Sequence, residues 1–542
     1  MVSISPTADD VVFAQPSVRT IVRIIKAFCR WLRHVAGRLP GEYTVAKLDA
    51  FDRFRRETSM FQIVALLILT PIPCILTNIL VESIPLKNPA DGSQDCLTFL
   101  LRNFLSATIV TMTPFRIKPD CISNLTIQSW KLSLGFGIIL GAISTGFIAA
   151  LVFLSKVFPV PLSQFSPILP MGIVGRIIES RLLHKPEVKP RLETIDQWLA
   201  MVVAPILVYP IFTAVFMALA PSHQLWFSLM LPVIKHLIRY ALWLGAKNDL
   251  DLVGSVTCTI GHFYHVLFTA MCLQNAKNME TLVAVVVVNF IHMIFNCREI
   301  LEDANRYNEI KSRLALSSSD IVASALAIAQ NDRVSRSLHR KSPSRLVSLY
   351  PRYQTVEFLT KYHDVITHIS TKTTSRQTLA PLSQSSAQVL PETNASLRGD
   401  SRREEDFVRS VTSTLHQTEY ILLRSYITIF GPSFYGIYLT LVFWLPNYRY
   451  FATMKYMVTF DAVATKVFHL MVLCSVELLF STVYLVIIGR KVGISGIYQL
   501  GFVLWSQRVL IQGKFVMLSI MILGFPLEHY GNGFIFRLHS GH

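Results

Sequence analysis

The chain has 542 residues, of which 52% are hydrophobic and only 16% are charged, with a mean hydropathy of +0.45. Because a soluble protein needs about 25% charged residues to cover its surface, this composition excludes an ordinary soluble domain and predicts a membrane protein. The net charge of +17 comes without zinc-ligand spacing or an aromatic RNA-binding run. We therefore predict no nucleic-acid partner and assign the positive charge to cytoplasmic membrane faces.

The first 58 residues are predicted to form a basic, cytoplasmic N-terminal region. Ten Lys or Arg lie between Arg19 and Arg56, ahead of an apolar run that starts near Met60. Such a bias keeps the leading segment on the cytoplasmic side of the membrane. Within this region, residues 17–38 place apolar and basic side chains on different faces at helical spacing. The segment is typical of an amphipathic helix, lying either on anionic lipid headgroups or on the protein's own cytoplasmic face.

Long apolar runs along the rest of the chain predict an all-α bundle of about nine or ten transmembrane helices. We divide it into an N-terminal bundle over 59–297, a C-terminal bundle over 419–530 and a tail over 531–542. The expected spans are 60–81, 132–153, 198–220, 225–246, 251–273, 280–297, 420–444, 463–488 and 513–530, with a proline-broken segment over 158–176 and a short element near 495–510. The broken segment is expected to be interrupted or re-entrant and buried in protein, because its freed backbone groups need partners away from lipid.

The segment between the first two spans is predicted to be a non-cytoplasmic loop. It is poor in basic residues, contains Cys96 and Cys121, and ends near a glycosylation sequon at Asn124. These signals agree, so we expect a disulfide between the two cysteines and a glycan on Asn124.

In the span that follows, small residues at four-residue spacing, beginning with Gly137 and Gly141, predict close contact with a neighbouring helix.

Residues 298–418 are predicted to be a large cytoplasmic loop. They contain 17 Lys or Arg, and a Ser/Thr/Gln-rich tract over 368–400 is typical of disorder. The loop is expected to begin as a helix over 299–313. Basic residues surrounding the serines at 335–344 suit a protein kinase as a partner. A second sequon at Asn394 is expected to carry no glycan, because it faces the cytoplasm.

Short motifs in both bundles carry a family resemblance. They are YPIFTAVF at 209–216, Gln224, LPVIK at 231–235, MCLQ at 271–274 and YQLGF at 498–502. Together they resemble a family of uncharacterised multi-pass membrane proteins from oomycetes. The resemblance covers roughly residues 60–300 and 415–530 and leaves out the central loop. It implies a multi-pass membrane architecture and, because no activity is assigned to that family, nothing about chemistry.

Polar side chains inside the expected spans are the candidate functional residues, because burying them in a bilayer is costly. The candidates are His262, His265, Asn289, His292, Asn296, Lys235, Arg239 and Glu477. The two leading histidines share one helical face with Cys258 and Thr269, and the next span carries its Asn, His and Asn on one face. Facing polar stripes predict either a substrate or proton pathway, or hydrogen bonds that hold the helices together. The mid-span carboxylate is expected to neutralise the Lys or the Arg.

No catalytic, cofactor or metal motif appears in the sequence, so no catalytic residue, cofactor or metal ligand is assigned. Broken helices and mid-span charges favour a secondary transporter or channel-like protein in the plasma membrane or an internal membrane. One alternative is a receptor or scaffold that signals through the 298–418 loop. The other is a membrane-embedded, lipid-modifying enzyme, for which Glu528 beside His529 is the acid–base hint.

Overall fold

The computed structural model describes residues 39–121, 130–182, 189–219, 230–247, 249–275, 279–314, 320–330, 394–455 and 457–531, with positions 223 and 227. These residues form helices joined by turns, and one isolated β-bridge links Phe451 to Leu527. The all-α fold predicted from the sequence is thereby confirmed.

Seventeen α-helices are described. They are α1 (Val45–Glu57), α2 (Met60–Leu69), α3 (Ile72–Glu82), α4 (Leu97–Asp120), α5 (Trp130–Ser155), α6 (Ile168–Leu182), α7 (Lys189–Ala200), α8 (Val203–Ala218), α9 (Met230–Ala246), α10 (Val253–Val256), α11 (Phe263–Asn275), α12 (Met279–Arg313), α13 (Ile321–Ala329), α14 (Asn394–Phe443), α15 (Phe460–Ile487), α16 (Gly496–Ser506) and α17 (Arg508–Gly524). A π-helical segment, Thr257–His262, joins α10 to α11 without a break, and another, Ile488–Val492, extends α15.

Seven helical stretches in the described ranges are long and apolar enough to cross a membrane. The pair α16–α17, bent by 75°, adds an eighth if it forms one span. The sequence led us to expect nine or ten. The difference lies in two segments whose described helices are short: α9 has 17 described residues and α6 has 15, against the roughly 20 that cross a hydrocarbon core.

The segment expected to be a loop between the first two spans contains the 24-residue helix α4, much of it buried. Cys96 and Cys121 directly flank this helix, so at about 1.5 Å per residue they lie roughly 36 Å apart. A disulfide needs Cα atoms within about 7 Å, and the predicted Cys96–Cys121 disulfide is therefore wrong. Polar residues such as Arg102 and Asn103 interrupt the apolar pattern of α4, so hydropathy did not identify α4 as a helix. The predicted glycan site, Asn124, lies outside the described residues.

Helices α4 and α5 pack closely, and the small residues on α5 permit this. The Thr111 hydroxyl oxygen lies 3.3 Å from the carbonyl oxygen of Gly137, and Asn103 donates to Thr145 over 3.0 Å. A Cβ built at Gly141 would lie 2.9 Å from the Thr108 nitrogen, closer than real carbon atoms approach. The close contact predicted from the four-residue spacing is confirmed.

The proline-broken segment contains the 15-residue helix α6. It follows an irregular stretch with a 3₁₀ turn at Ser163–Phe165. Leu169, Ile173 and Ile177, spaced four residues apart, are each more than half exposed. The segment is interrupted, as expected, but it presents one apolar stripe at the surface, so the expectation that it is buried throughout was wrong.

The expected central loop is entered and left by helices. The predicted helical start over 299–313 is the continuation of α12 to Arg313. Residues 394–418 are not a disordered end of the loop, because they form the first turns of the 50-residue helix α14. The amphipathic segment 17–38 and the serines at 335–344 lie outside the described residues.

A buried ion pair joins the N-terminal part of the chain to α14. The Lys47 ammonium on α1 donates to the Glu419 carboxylate over 2.8 Å and to the backbone oxygen of Asp251 over 3.1 Å. Gln507 donates to the same backbone oxygen, and the Thr44 hydroxyl donates to the Asp251 side chain over 3.0 Å. One cluster therefore connects α1, α14 and the turns before α10 and α17.

A second buried ion pair lies near the far end of α14. Arg102 on α4 donates to Glu82 on α3 over 2.7 Å and to the Tyr530 hydroxyl over 2.9 Å. Tyr438 on α14 donates to the same carboxylate, and Asn447 donates to the Glu82 backbone oxygen over 2.8 Å. These contacts fix the ends of α3, α14 and the C-terminal region to the start of α4.

We predict that Gly141→Ala destabilises the protein by about 1–3 kcal/mol, because the added methyl group would force α4 and α5 apart. The matched control is Gly146→Ala on the same helix, where a Cβ meets no atom of the described structure within 4 Å. The control should leave stability unchanged or slightly higher, since alanine is the better helix former. Thermal unfolding of both variants in detergent measures the difference, and equal midpoints would contradict the packing.

Candidate functional site

The candidate site lies where five parts of the chain meet inside the bundle: α9, the π-helical segment, α12, α14 and α15. A π-turn inserts an extra residue into a helix and frequently occurs at functional sites. Here it spans Thr257–His262 and ends on one of the predicted candidate residues. The extra residue lets His262 point toward α14, where the Thr428 hydroxyl lies 2.7 Å from its Nε2.

A small cavity of about 20 Å³ lies at this meeting point, with room for one water-sized occupant. It is lined by His262, Asn289, His292, Asn296, Ile421, Arg424, Ser425, Thr428, Glu477 and Tyr484. Nine of these ten side chains are polar. We call this the central cavity.

Hydrogen bonds across the central cavity connect helices that are distant in sequence. Asn289 on α12 donates to the Glu477 carboxylate on α15 over 2.6 Å. Two turns further along both helices, Asn296 donates to the Tyr484 hydroxyl over 3.1 Å. The polar stripe predicted on α12 therefore faces α15, and part of its role is to hold these two helices together.

The imidazole of His262 has one nitrogen with a partner and one without. The Thr428 hydroxyl oxygen lies 2.7 Å from Nε2 and 2.9 Å from the Arg424 carbonyl oxygen. The Nδ1 atom is buried without a partner among the described residues. A buried nitrogen without a partner beside a polar cavity can hydrogen-bond to a bound ligand.

Charge in and around the central cavity is unbalanced. Arg424, followed by Lys235, attracts the Glu477 carboxylate, and Arg424 and Arg239 both repel Lys235. The other carboxylate near this part of α14, Glu419, is already held by the Lys47 ammonium. Two basic side chains, Lys235 and Arg424, thus act on one carboxylate. The expected pairing of Glu477 with Lys235 or Arg239 stays a prediction: Asn289 donates a hydrogen bond to Glu477, and Arg424 and Lys235 both attract its carboxylate.

The structure brings most predicted candidates together. His262, Asn289, His292, Asn296 and Glu477 line the central cavity. The others do not line it: Lys235 and Arg239 are buried, and His265 is partly buried. The last of these has its Nδ1 atom 3.3 Å from the Tyr209 hydroxyl on α8, so it joins two helices.

Sequence analysis missed the residues that α14 contributes, above all Arg424. The expected span began at residue 420, which placed this arginine at a membrane interface. The helix extends unbroken from the loop side over Arg402–Phe443, and Arg424 lines the same cavity as Glu477, which is near the middle of α15. The detectable signal was the polar spacing of Arg424, Ser425 and Thr428 on one side of a helix.

Nothing described at the site indicates a metal centre or an acid–base pair. In the described ranges, no three His, Cys, Asp or Glu side chains are grouped closely enough to hold a metal ion. The structure also changes the interpretation of Glu528 and His529, the two residues that suggested an enzyme. Glu528 pairs with Lys455 over 2.5 Å, while His529 Nε2 donates to the Lys87 carbonyl over 2.7 Å. Each side chain is thus held by a different partner, which indicates a structural role.

The pH dependence of His529 is a testable consequence. Burial lowers the pKa of His529 to about 4, against a usual value of 6.5. The unfolded chain therefore binds a proton between pH 6.5 and 4 that the folded chain does not, so this contribution to stability is present above pH 6.5 and is lost as the pH falls. We expect a loss of up to about 3 kcal/mol across that window, measured as thermal unfolding in detergent. His529→Gln should flatten this part of the pH profile, and an unchanged slope would contradict the assignment.

Charge imbalance at the central cavity predicts asymmetric effects of mutation. Glu477→Gln leaves Lys235 and Arg424 both without a carboxylate and should destabilise the protein by about 3–5 kcal/mol. Arg424→Gln leaves Lys235 to balance Glu477, so its effect on stability should be much smaller. The measurement is the yield and thermal midpoint of each variant in detergent. Equal losses would show an ordinary balanced pair.

No family model, curated protein or solved structure matches the chain. The resemblance to the oomycete membrane family therefore stays a prediction. The apolar helices establish an architecture compatible with a membrane protein. What the chain does is inferred below from the central cavity.

Proposed function

We propose that the protein is a secondary transporter and that its central cavity binds a small anion. The observation that carries the proposal is the polar central cavity, where the Arg424 guanidinium and the Glu477 carboxylate line one small space inside a bundle of membrane-length helices. An isolated charge at the centre of a bilayer costs about 2.5–3.5 kcal/mol on insertion scales. A bound anion would offset that cost, which gives the cavity a reason to prefer one.

The chemistry of the lining suits this ligand. Arg424 supplies a guanidinium with five N–H donors, and Ser425 and Thr428 lie beside it on the same helix. Asn289 and Asn296 supply amide groups from α12 on the opposite side. A small anion would therefore meet donors from two helices. Glu477 would keep the site from holding the anion too tightly, because a carboxylate repels it.

Irregular points in three helical stretches support a moving bundle. The continuous path from α10 to α11 contains the π-helical segment, which lines the central cavity through His262. Away from that lining, α2 and α3 are separated at Pro71, and α16 and α17 meet at 75°. Interrupted helices are typical of secondary transporters, in which one part of the bundle rocks against another.

Anion uptake into proteoliposomes tests the proposal. The full-length protein should take up at least one of labelled chloride, nitrate, bicarbonate or acetate about tenfold faster than empty liposomes. Arg424→Gln should abolish this uptake although it folds, and Arg424→Lys, which keeps the charge, should retain part of it. The matched control is Lys466→Gln on α15, a basic residue that does not line the cavity.

Two outcomes would overturn the proposal. One is that none of the four anions is taken up, or that Arg424→Gln transports as fast as the unmodified protein. The other concerns the mechanism. A carrier exchanges its substrate faster when unlabelled anion is present on the opposite side. Uptake that is conductive and insensitive to that anion would indicate a channel.

A further inference from the structure

A second cavity, independent of the central one, lies between α4, α6, α7, α8 and α17. It has a volume of about 160 Å³. Its walls are mainly apolar, formed by Val110, Phe115, Ile168, Met171, Val202, Ile206, Met517 and Met521 among others. We call it the lateral cavity, because α6, one of its walls, presents its other face at the surface.

Lys514, one of the basic residues of the protein, lines the lateral cavity. Its side chain is fully buried, and in the described structure its ammonium nitrogen has no hydrogen-bond partner. The ring of Trp198 lies 5.8 Å away and offers a cation–π contact. Its indole N–H is also buried without a partner among the described residues. A buried, unpaired ammonium is strongly disfavoured, and an anion bound beside it would remove that cost.

The charged residues that share the cavity do not supply this anion. Asp196 on α7 is the only acidic residue in the lining, and it pairs with Lys118 on α4 over 2.6 Å. Arg176 on α6 adds another positive charge. The lining thus combines three basic residues with one carboxylate already in an ion pair.

We propose that the lateral cavity binds a small amphipathic carboxylate, with its carboxylate at Lys514 and its apolar body among the methionine and aliphatic side chains. Volume sets the size of that body. An engineered protein cavity of about 150 Å³ holds benzene, so a body of about six to eight carbons fits here. The apolar walls exclude a ligand that is polar throughout, such as inorganic phosphate.

Cyclohexanecarboxylate is the test ligand, and cyclohexylmethanol is its uncharged counterpart of similar shape. Titration calorimetry uses the full-length protein in detergent. The carboxylate should bind at least tenfold more tightly than the alcohol or inorganic phosphate. Lys514→Met should remove that preference, whereas the matched control Lys466→Met, outside the lateral cavity, should keep it.

A second variant blocks the cavity without changing Lys514, so the test does not depend on one substitution. Val202→Phe keeps Lys514 and fills the lateral cavity, so it should also abolish binding. Arg424→Gln, at the central cavity, should leave binding unchanged, which separates this site from the proposed transport site. Carboxylate binding that survives both Lys514→Met and Val202→Phe, alcohol or phosphate binding as tight as that of the carboxylate, or no binding at millimolar concentration would each overturn the inference.

Discussion

Charge buried away from water must be paired, and this requirement organises the helices of the protein. The Lys47–Glu419 pair and the Arg102–Glu82 pair are both almost completely buried, and each brings together elements that are more than 300 residues apart. Breaking such a pair leaves an uncompensated charge, which typically costs about 3–5 kcal/mol. Both pairs therefore fix the position of α14, because Glu419 belongs to one and Tyr438 contacts the other.

Against this paired background, the two unbalanced positions stand out. Arg424 lies between the two pairs on the same helix and shares Glu477 with Lys235, and Lys514 faces an apolar cavity with its ammonium unsatisfied. A protein that pairs its structural charges so completely has no structural use for unpaired ones. This contrast, more than any single distance, is why we assign ligands to the central and lateral cavities.

Sequence reasoning predicted the helical class and five lining residues of the central cavity, because both follow from local patterns. Apolar length predicts spans, and a three-to-four-residue spacing such as that of Asn289, His292 and Asn296 predicts a shared face. It could not predict which face meets which. The partner of Glu477 depends on how α12, α14 and α15 pack. Arg424 was not identified as a candidate because α14 begins far earlier in the sequence than its apolar run. Helix α4 was missed for the opposite reason, since its buried polar residues remove the apolar signal.

A cluster of three phenylalanines lies close in sequence to residues of both proposed sites. Phe263, Phe430 and Phe515 pack against each other with ring centroids 4.5–5.8 Å apart. Each follows closely in sequence on a residue of one cavity: His262 and Thr428 at the central cavity, and Lys514 at the lateral one. Neighbouring positions on a helix point about 100° apart. The helical turns that present polar groups to a cavity therefore also contribute side chains to this aromatic cluster. The ligands proposed for the two cavities differ because the linings differ: nine of the ten side chains at the central cavity are polar, and the walls of the lateral cavity are mainly apolar.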